Sequence, residues 1–344
     1  MRWLIRRSKQ HTDERGATAV IVAFSMVALL GFAALAVDVG AMYAEKAQLQ
    51  NGADATALAI ANDCANGVNC STAMTAPANR LADDNANDGS SGVFSVTQPN
   101  ATTVRVETNA QASGSTDDSF ALFFARVLGN ETAVIHAAAE ASWGAPSEAT
   151  TLPWTISQCV FKKYLSPSQL AELNATESFT GDPIPTHILL RYDENTPDYP
   201  GCAPQNGYAE GGFGWLDRDT GCSADINIAE SEVGNDPGND FPSECTGIIA
   251  SLMEEPVLIP IFSTATGNGQ HATYGLVGFI AFQVTGYKFG GGPSLTNLDP
   301  AAPSCTGNCR GIQGFFTRYV SLAEGLSTSG GTPNYGATSV WLSE

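Results

Sequence analysis

A chain of 344 residues with 16 basic and 35 acidic side chains, net charge −19, is long enough for two compact units. The acidic excess argues against a surface that holds nucleic acid, itself a polyanion. The charge is also uneven: residues 1–15 carry five Arg or Lys and two acids, net +3, while residues 38–344 carry 11 basic and 33 acidic residues, net −22.

Between these lies ATAVIVAFSMVALLGFAALAV, residues 17–37, a run of 21 without a charge. A hydrocarbon core about 30 Å thick needs about 20 helical residues, so the run predicts one transmembrane helix. Arg2, Arg6, Arg7, Lys9 and Arg15 make residues 1–16 a basic segment, which the positive-inside rule leaves in the cytoplasm with the acidic bulk outside. A fully buried helix of a soluble protein accounts for neither the basic flank nor the asymmetry. Cleavage competes with retention, because Ala34-Leu35-Ala36 obeys the small-x-small rule and a mature chain would then begin at Val37. Retention is favoured, since the apolar run exceeds a signal core and the helical pattern continues beyond it. Val39, Met42, Leu49, Ala53 and Ile60 recur at helical spacing, and Ala47, Ala55, Ala57, Ala59 and Ala61 add propensity. Residues 38–62 therefore read as a helical stalk continuous with the anchor, with small residues that let another helix approach. The alternative is a helix that packs back on its own outer domain.

Segment 14–59 resembles the N-terminal part of TadG-like proteins of the Flp/Tad pilus-assembly system. The residues that carry the likeness are Arg15 and Gly16 before the apolar run, Asp38, Val39 and Gly40 at its outer end, Tyr43, Leu49 and Gln50, then Ala53 and Asp54. The resemblance implies a single-pass envelope protein serving assembly or anchoring of adhesive pili, with assembly proteins of that system as partners and no catalytic residues to carry over. Two departures stand out. Gly16 is followed by ATAVI, so the acid of processed pilins, five residues into the mature chain, is missing. The Asp-x-Ser-x-Ser sequence of a von Willebrand A metal site is absent as well.

Residues 63–91, rich in Asn, Asp and Gly, read as a loop-rich connection with a short helix around 76–86. Residues 92–145 predict a small α+β unit: strands in GVFSVTQP and TTVRVETNAQA, a helix over 117–129, and a strand over 132–143 for which helix is the competing state. Phe120, Phe123, Phe124, Val127 and Leu128 are expected as the core stripe of that helix, and His136 as a structural residue. A boundary at 144–153 opens a mostly β outer domain, 146–344, with strands in EPVLIPIF, TYGLVGFIAFQVTGYKF, GIQGFFTRYVSLA and ATSVWLS. Gly278 and Gly286 read as bulges or close backbone approaches. GGFGWLD, PVLIPIF, GFIAFQVTGY and IQGFFTRYVSL also resemble the outer region attached to this anchor in actinobacterial relatives. The predicted fold class is thus a single transmembrane helix continuing into a stalk, then a small α+β unit and a mostly β extracytoplasmic domain.

All eight cysteines, Cys64, Cys70, Cys159, Cys202, Cys222, Cys245, Cys305 and Cys309, fall on the outer side, where an even count predicts disulfides. Cys64–Cys70 and Cys305–Cys309 are the natural local pairs, leaving the other four for two longer bonds whose pairing stays open. No enzyme, cofactor or metal is expected. His187 and His271 are candidate bases with Ser263, Asp217 or Glu255, yet no nucleophile elbow, zinc helix, phosphate loop or dinucleotide fingerprint supports them. Lys288 with the glycines at 290–292 lacks the ordered phosphate cradle. Asp217, Asp219, Asp225 and Asn227 could offer oxygens to calcium, but their spacing departs from an EF-hand. Adjacent Glu254 and Glu255 would face opposite sides of a strand. Tyr208, Phe213 and Trp215 form the candidate recognition surface of the alternative function, a protein- or glycan-binding module, with core packing as their simpler role. An extracytoplasmic hydrolase comes last.

Overall fold

The computed structural model describes residues 14–75, 78–87, 89–112, 114–179, 181, 184–192, 199–202, 214–219, 221–230, 232–234, 241–267, 273–295, 299–321 and 332–343. In chain order the elements are α1 (Glu14–Ala65), α2 (Cys70–Ala73), α3 (Ala78–Asp84), β1 (Ser91–Asn100), β2 (Thr103–Ala110), β3 (Phe120–Ala121), β4 (Thr132–Ala133), β5 (His136–Gly144), β6 (Glu148–Thr151) and β7 (Trp154–Ser157). They are followed by α4 (Gln158–Lys163), α5 (Pro167–Thr176), β8 (Ile188–Arg191), β9 (Gly214–Trp215), β10 (Ala224–Asn227), β11 (Glu232–Gly234), β12 (Val257–Thr266), β13 (Thr273–Lys288), β14 (Ser294–Leu295), β15 (Gly311–Thr317), β16 (Tyr319–Ser321) and β17 (Ala337–Leu342). The chain divides into two compact units, one of residues 1–57, 76–97 and 105–140, the other of residues 58–75, 98–104 and 141–344.

In the first unit α1 runs 52 residues without a break, about 78 Å at ~1.5 Å per residue. No side chain of the apolar window is buried. From Asp38 onward one face is covered: Asp38, Glu45, Leu49, Ala53 and Thr56 are buried, at helical spacing. Leu49 packs with Ala110, Ile135 and Ala137, so the stalk half of the helix lies against strands of its own unit. This is the alternative arrangement left open above. Val39, counted in the expected stripe, is exposed, because Asp38 rather than Val39 heads the buried face. Gly52 admits α3: a Cβ there would stand 3.3 Å from Ala82 Cα. Strands β1, β2 and β5 are neighbours in that order, and β5 forms where Ala137, Ala139 and Ala141 alternate inward; burial on a sheet overrides the helix propensity of alanine.

The expected helix over 117–129 is not formed. Phe120–Ala121 pairs antiparallel with Thr132–Ala133 as a small hairpin, and only Ala125–Leu128 makes a turn of 3-10 helix, closed by Gly129 at φ 90°. Phe123, Phe124, Val127 and Leu128 are exposed instead of forming a core, whereas Phe120 is half-buried against the Leu49 cluster.

The second unit is built on an eight-stranded sheet, ordered β8-β15-β13-β12-β7-β9, with β11 and β14 also pairing to β13. Strand β13 is its centre, and Trp154, Ile156, Phe161, Ile259, Phe282 and Ile312 belong to the core packed on it. Gly278 and Gly286 both sit at register shifts of this strand. At Gly278, φ is 155° and the Tyr335 ring is 2.8 Å from where a Cβ would project, so the close approach excludes any side chain. Two helices absent from the expectation follow β7. Ser157 caps α4, and Ser166 with Gln169 closes a capping box on α5, with Pro167 in its first turn. The S-P-S-Q sequence is a legible start signal for the second of them.

Candidate functional site

The most developed polar contact of the first unit joins the outer end of the apolar run to the 120–134 hairpin. Asp38 Oδ1 accepts the backbone N–H of Phe123 at 2.9 Å, and Oδ2 those of Phe124 at 3.1 Å and Ala125 at 2.6 Å. These are the donors that the start of a 3-10 turn leaves without partners, so a carboxylate from a distant helix caps the turn. Burial by itself would raise the Asp38 pKa. The three N–H groups together with the charge of Arg126 outweigh it and hold the carboxyl below its ordinary range.

Three turns further along, the helix is fastened to the strands. Thr108 Oγ1 donates to Leu49 O at 2.9 Å, and Gln50 Nε2 donates to Ala138 O at 3.0 Å and to Asp54 Oδ1 at 2.8 Å. Five of the motif residues therefore do one job: Asp38, Leu49, Gln50, Ala53 and Asp54 seat α1 on its unit. Gly16, Gly40 and Tyr43 do not. A Cβ at Gly16 or Gly40 would meet nothing within 4 Å, and Tyr43 is 73% exposed. Arg15 lies in the first turn of the helix, and its side chain lies outside the described residues.

The first unit also holds a His–carboxylate cluster that spacing did not reveal. His136 Nδ1 lies 3.1 Å from Glu107 Oε1 and Nε2 2.7 Å from Asp118 Oδ2, while Phe94 packs on the ring at 4.5 Å. Desolvation lowers the His136 pKa, but hydrogen bonds to Asp118 and Glu107 overcome it and raise it above the ordinary value. Both ring nitrogens are engaged by acids, and Ser95 Oγ donates to Glu107. This is a clasp tying β2, β5 and the start of the hairpin, without an activated nucleophile.

In the second unit His187 Nδ1 meets Asp299 Oδ2 at 2.5 Å, and Thr285 donates to the same oxygen at 2.7 Å. The expected companions Ser263, Asp217 and Glu255 are elsewhere on the exposed surface, and His271 lies outside the described residues. Burial pushes the Asp299 pKa up, but His187, Thr285 and the Ala301 N–H together bring it below the usual carboxylate range. Around the acidic loop, Asp219 Oδ2 accepts from Asp225 N, Asp225 Oδ1 from Thr150 and Asn227 Oδ1 from Ala229 N, so local turn and strand contacts engage these oxygens. Asp217 lies over Gly234. Among the described residues no group of three or more His, Cys, Asp or Glu side chains is placed to hold a metal ion.

Glu254 and Glu255 occupy a turn before β12, not a strand as expected, because the chain folds back through Glu254 N–H to Ser251 O before extending. Lys288 Nζ donates to Gly307 O, and Phe241 covers Gly292, which leaves no cradle for phosphate there. Trp215 is buried among Trp154, Tyr192, Phe241 and Phe289. It belongs to the core rather than to a recognition surface; Tyr208 and Phe213 lie outside the described residues. A separate cleft of about 630 Å³ is lined by Arg318, Glu177, Asn334, Trp143 and Trp341.

The eight cysteines form four disulfides: Cys64–Cys70, Cys159–Cys202, Cys222–Cys245 and Cys305–Cys309. The two local bonds coincide with the pairs that proximity favours. Cys159–Cys202 ties α4 to the turn at 199–202, and Cys222–Cys245 joins the loop before β10 to a 3-10 turn.

Residues 16–63 match the family described as "Putative Flp pilus-assembly TadE/G-like". The matched stretch contains the apolar run, Asp38 and the docking face of α1, and it ends before the outer strands, so it carries nothing of the actinobacterial likeness. No curated protein and no solved structure gives a match. The family match and the one long apolar helix among the described residues support membrane anchoring and a Tad/Flp-type role in general terms.

Proposed function

We propose that the chain is a non-enzymatic, single-pass component of Flp/Tad pilus assembly or anchoring, spanning the cell membrane with residues 17–37, the 1–16 segment cytoplasmic and residues 38–344 outside. The observation that carries this reading is the family match over the bare helix and its docking face. A second observation suggests where an assembly partner approaches. Gly16, Gly31 and Gly40 lie within α1 with nothing inside 4 Å of a Cβ. Each costs the helix about 1 kcal/mol relative to Ala, and no contact among the described residues explains Gly40. Gly52, by contrast, is explained by α3. A partner helix drawn close along Gly40 and Tyr43 gives Gly40 a role.

The test is a deletion of the chain, with surface pili counted while the other assembly proteins are monitored, followed by complementation with wild type or Gly40→Leu. Wild type restores pili. Gly40→Leu accumulates to the same level without restoring them. Normal pili and adhesion in the deletion would sink the pilus reading, and protease cleavage of the outer units from the cytoplasmic side would reverse the topology. The competing reading, a surface protein- or glycan-binding module, draws on the cleft lined by Arg318, Trp143 and Trp341. It gains if the outer region binds a cell-surface ligand in cells lacking the pilus apparatus.

A further inference from the structure

The hairpin over 120–134 places large apolar side chains where a water-soluble surface would carry polar ones. Val127 is 84% and Leu128 74% exposed, and Phe123, Phe124 and Val134 are exposed beside them. A contiguous patch of this kind marks an interaction surface. Its position identifies the occupant. Phe124, Val127 and Leu128 form one wall of a groove of about 520 Å³, whose other wall is Leu30, Phe32 and Leu35 of α1. That second wall belongs to the uncharged run. At ~1.5 Å per residue, the lining turns of α1, residues 28–35, lie about 5–15 Å nearer the middle of the span than Asp38 does. The hairpin therefore reaches down alongside the span instead of stopping above it.

We propose that this hairpin is a second membrane contact, a wedge that inserts Phe123, Phe124, Val127 and Leu128 into the outer leaflet, with lipid acyl chains filling the groove. The proposal rests on residues 17–37 being the anchor. A turn in that position must satisfy its own backbone, since hydrocarbon offers no hydrogen bonds. Asp38 takes the N–H groups of Phe123, Phe124 and Ala125, while Val127, Gly129 and Asn130 donate to Phe124 O, Arg126 O and Ala125 O. Asp38 thus has a purpose at the end of an apolar run, where a helix-spanning segment alone gives it none. Aromatic side chains at the level of the lipid headgroups and a long-stemmed cation beside them, here Arg126, suit the boundary between tails and headgroups.

The test uses the full chain in phosphatidylcholine–phosphatidylglycerol vesicles. All eight native cysteines are in disulfides, so a single new thiol takes an environment-sensitive fluorophore without reduction. Val127→Cys and Leu128→Cys probe the wedge, Phe24→Cys the span, and Thr97→Cys, on the exposed edge of β1, the aqueous phase. Quenching is compared between iodide in water and a nitroxide attached to lipid acyl chains near the headgroup. The expected result is that labels at 127 and 128 behave as the label at 24 does, severalfold less open to iodide than the label at 97 and quenched by the lipid nitroxide. Labels at 127 and 128 as open to iodide as that at 97, with 24 still shielded, would overturn the wedge and leave the anchor standing. Shielding from both quenchers would overturn it in favour of a second copy of the chain covering the patch. Iodide access at 24 would overturn the anchor itself.

Discussion

Leu49→Ala separates a helix docked on its own unit from a free rod. Leu49 is 1% exposed, and its cluster consists of Ala110, Ile135 and Ala137 with Met42 and Phe120 at the margin. Two of these neighbours are alanines carried on strands, so little side chain can move into the space the leucine leaves. Core Leu→Ala changes cost about 2–5 kcal/mol, more where the site cannot collapse. A loss of about 3 kcal/mol is expected here, a factor of roughly 150 in the opening equilibrium. Hydrogen exchange by mass spectrometry on the full chain in detergent reads it directly, as faster exchange of peptides from β2 and β5. Tyr43→Ala, on the uncovered face of the same helix, should stay within about 0.5 kcal/mol of wild type. Unchanged exchange in Leu49→Ala, or equal effects of the two substitutions, would refute the docking and return α1 to an independent stalk.

The remaining predictions use charge and covalent closure. The His136 pKa is raised above its ordinary 6.5, so its contribution to stability is complete below pH 6.5 and fades as pH rises through the folded value; His136→Gln should remove that slope from urea-unfolding midpoints, and an unaltered slope would exclude the clasp as its source. The Asp38 pKa is lowered from 3.8, so its contribution is present above pH 3.8 and is lost as pH falls through the lower folded value. Asp38→Asn should expose the 120–134 hairpin to proteolysis at neutral pH while β13 stays protected; a hairpin as resistant as wild type would deny Asp38 its capping role. Replacing both cysteines of Cys159–Cys202, with a sequence separation of 43, should cost roughly 4 kcal/mol, against roughly 2 kcal/mol for Cys305–Cys309 with a separation of 4. Denaturant melts of the two double-serine variants test the order, and a reversed order would show that loop closure is not the governing effect.

The anchor was legible because its physics is local. An uncharged run of membrane length, a basic flank and an alanine-rich continuation determine a long helix whatever surrounds it, and α1 forms as one element from Glu14 to Ala65. Strands β1, β2, β12, β13 and β17 were legible for the same reason, as alternating or continuous apolar segments bounded by turn residues, and so were the two short-range disulfides. The segment 117–129 shows where local reasoning ended. Its apolar spacing suits a helix buried against a core, yet the residues become a hairpin whose apolar side chains stand beside the uncharged run of α1. Spacing records which residues avoid water and says nothing of what replaces it. Likewise Asp38 was visible as a motif residue, but its role depends on backbone N–H groups more than eighty residues away. His136 gained its two carboxylates, and Trp215 its aromatic surroundings, only when distant strands met. Those contacts are set by tertiary packing, because they join groups that no local periodicity relates.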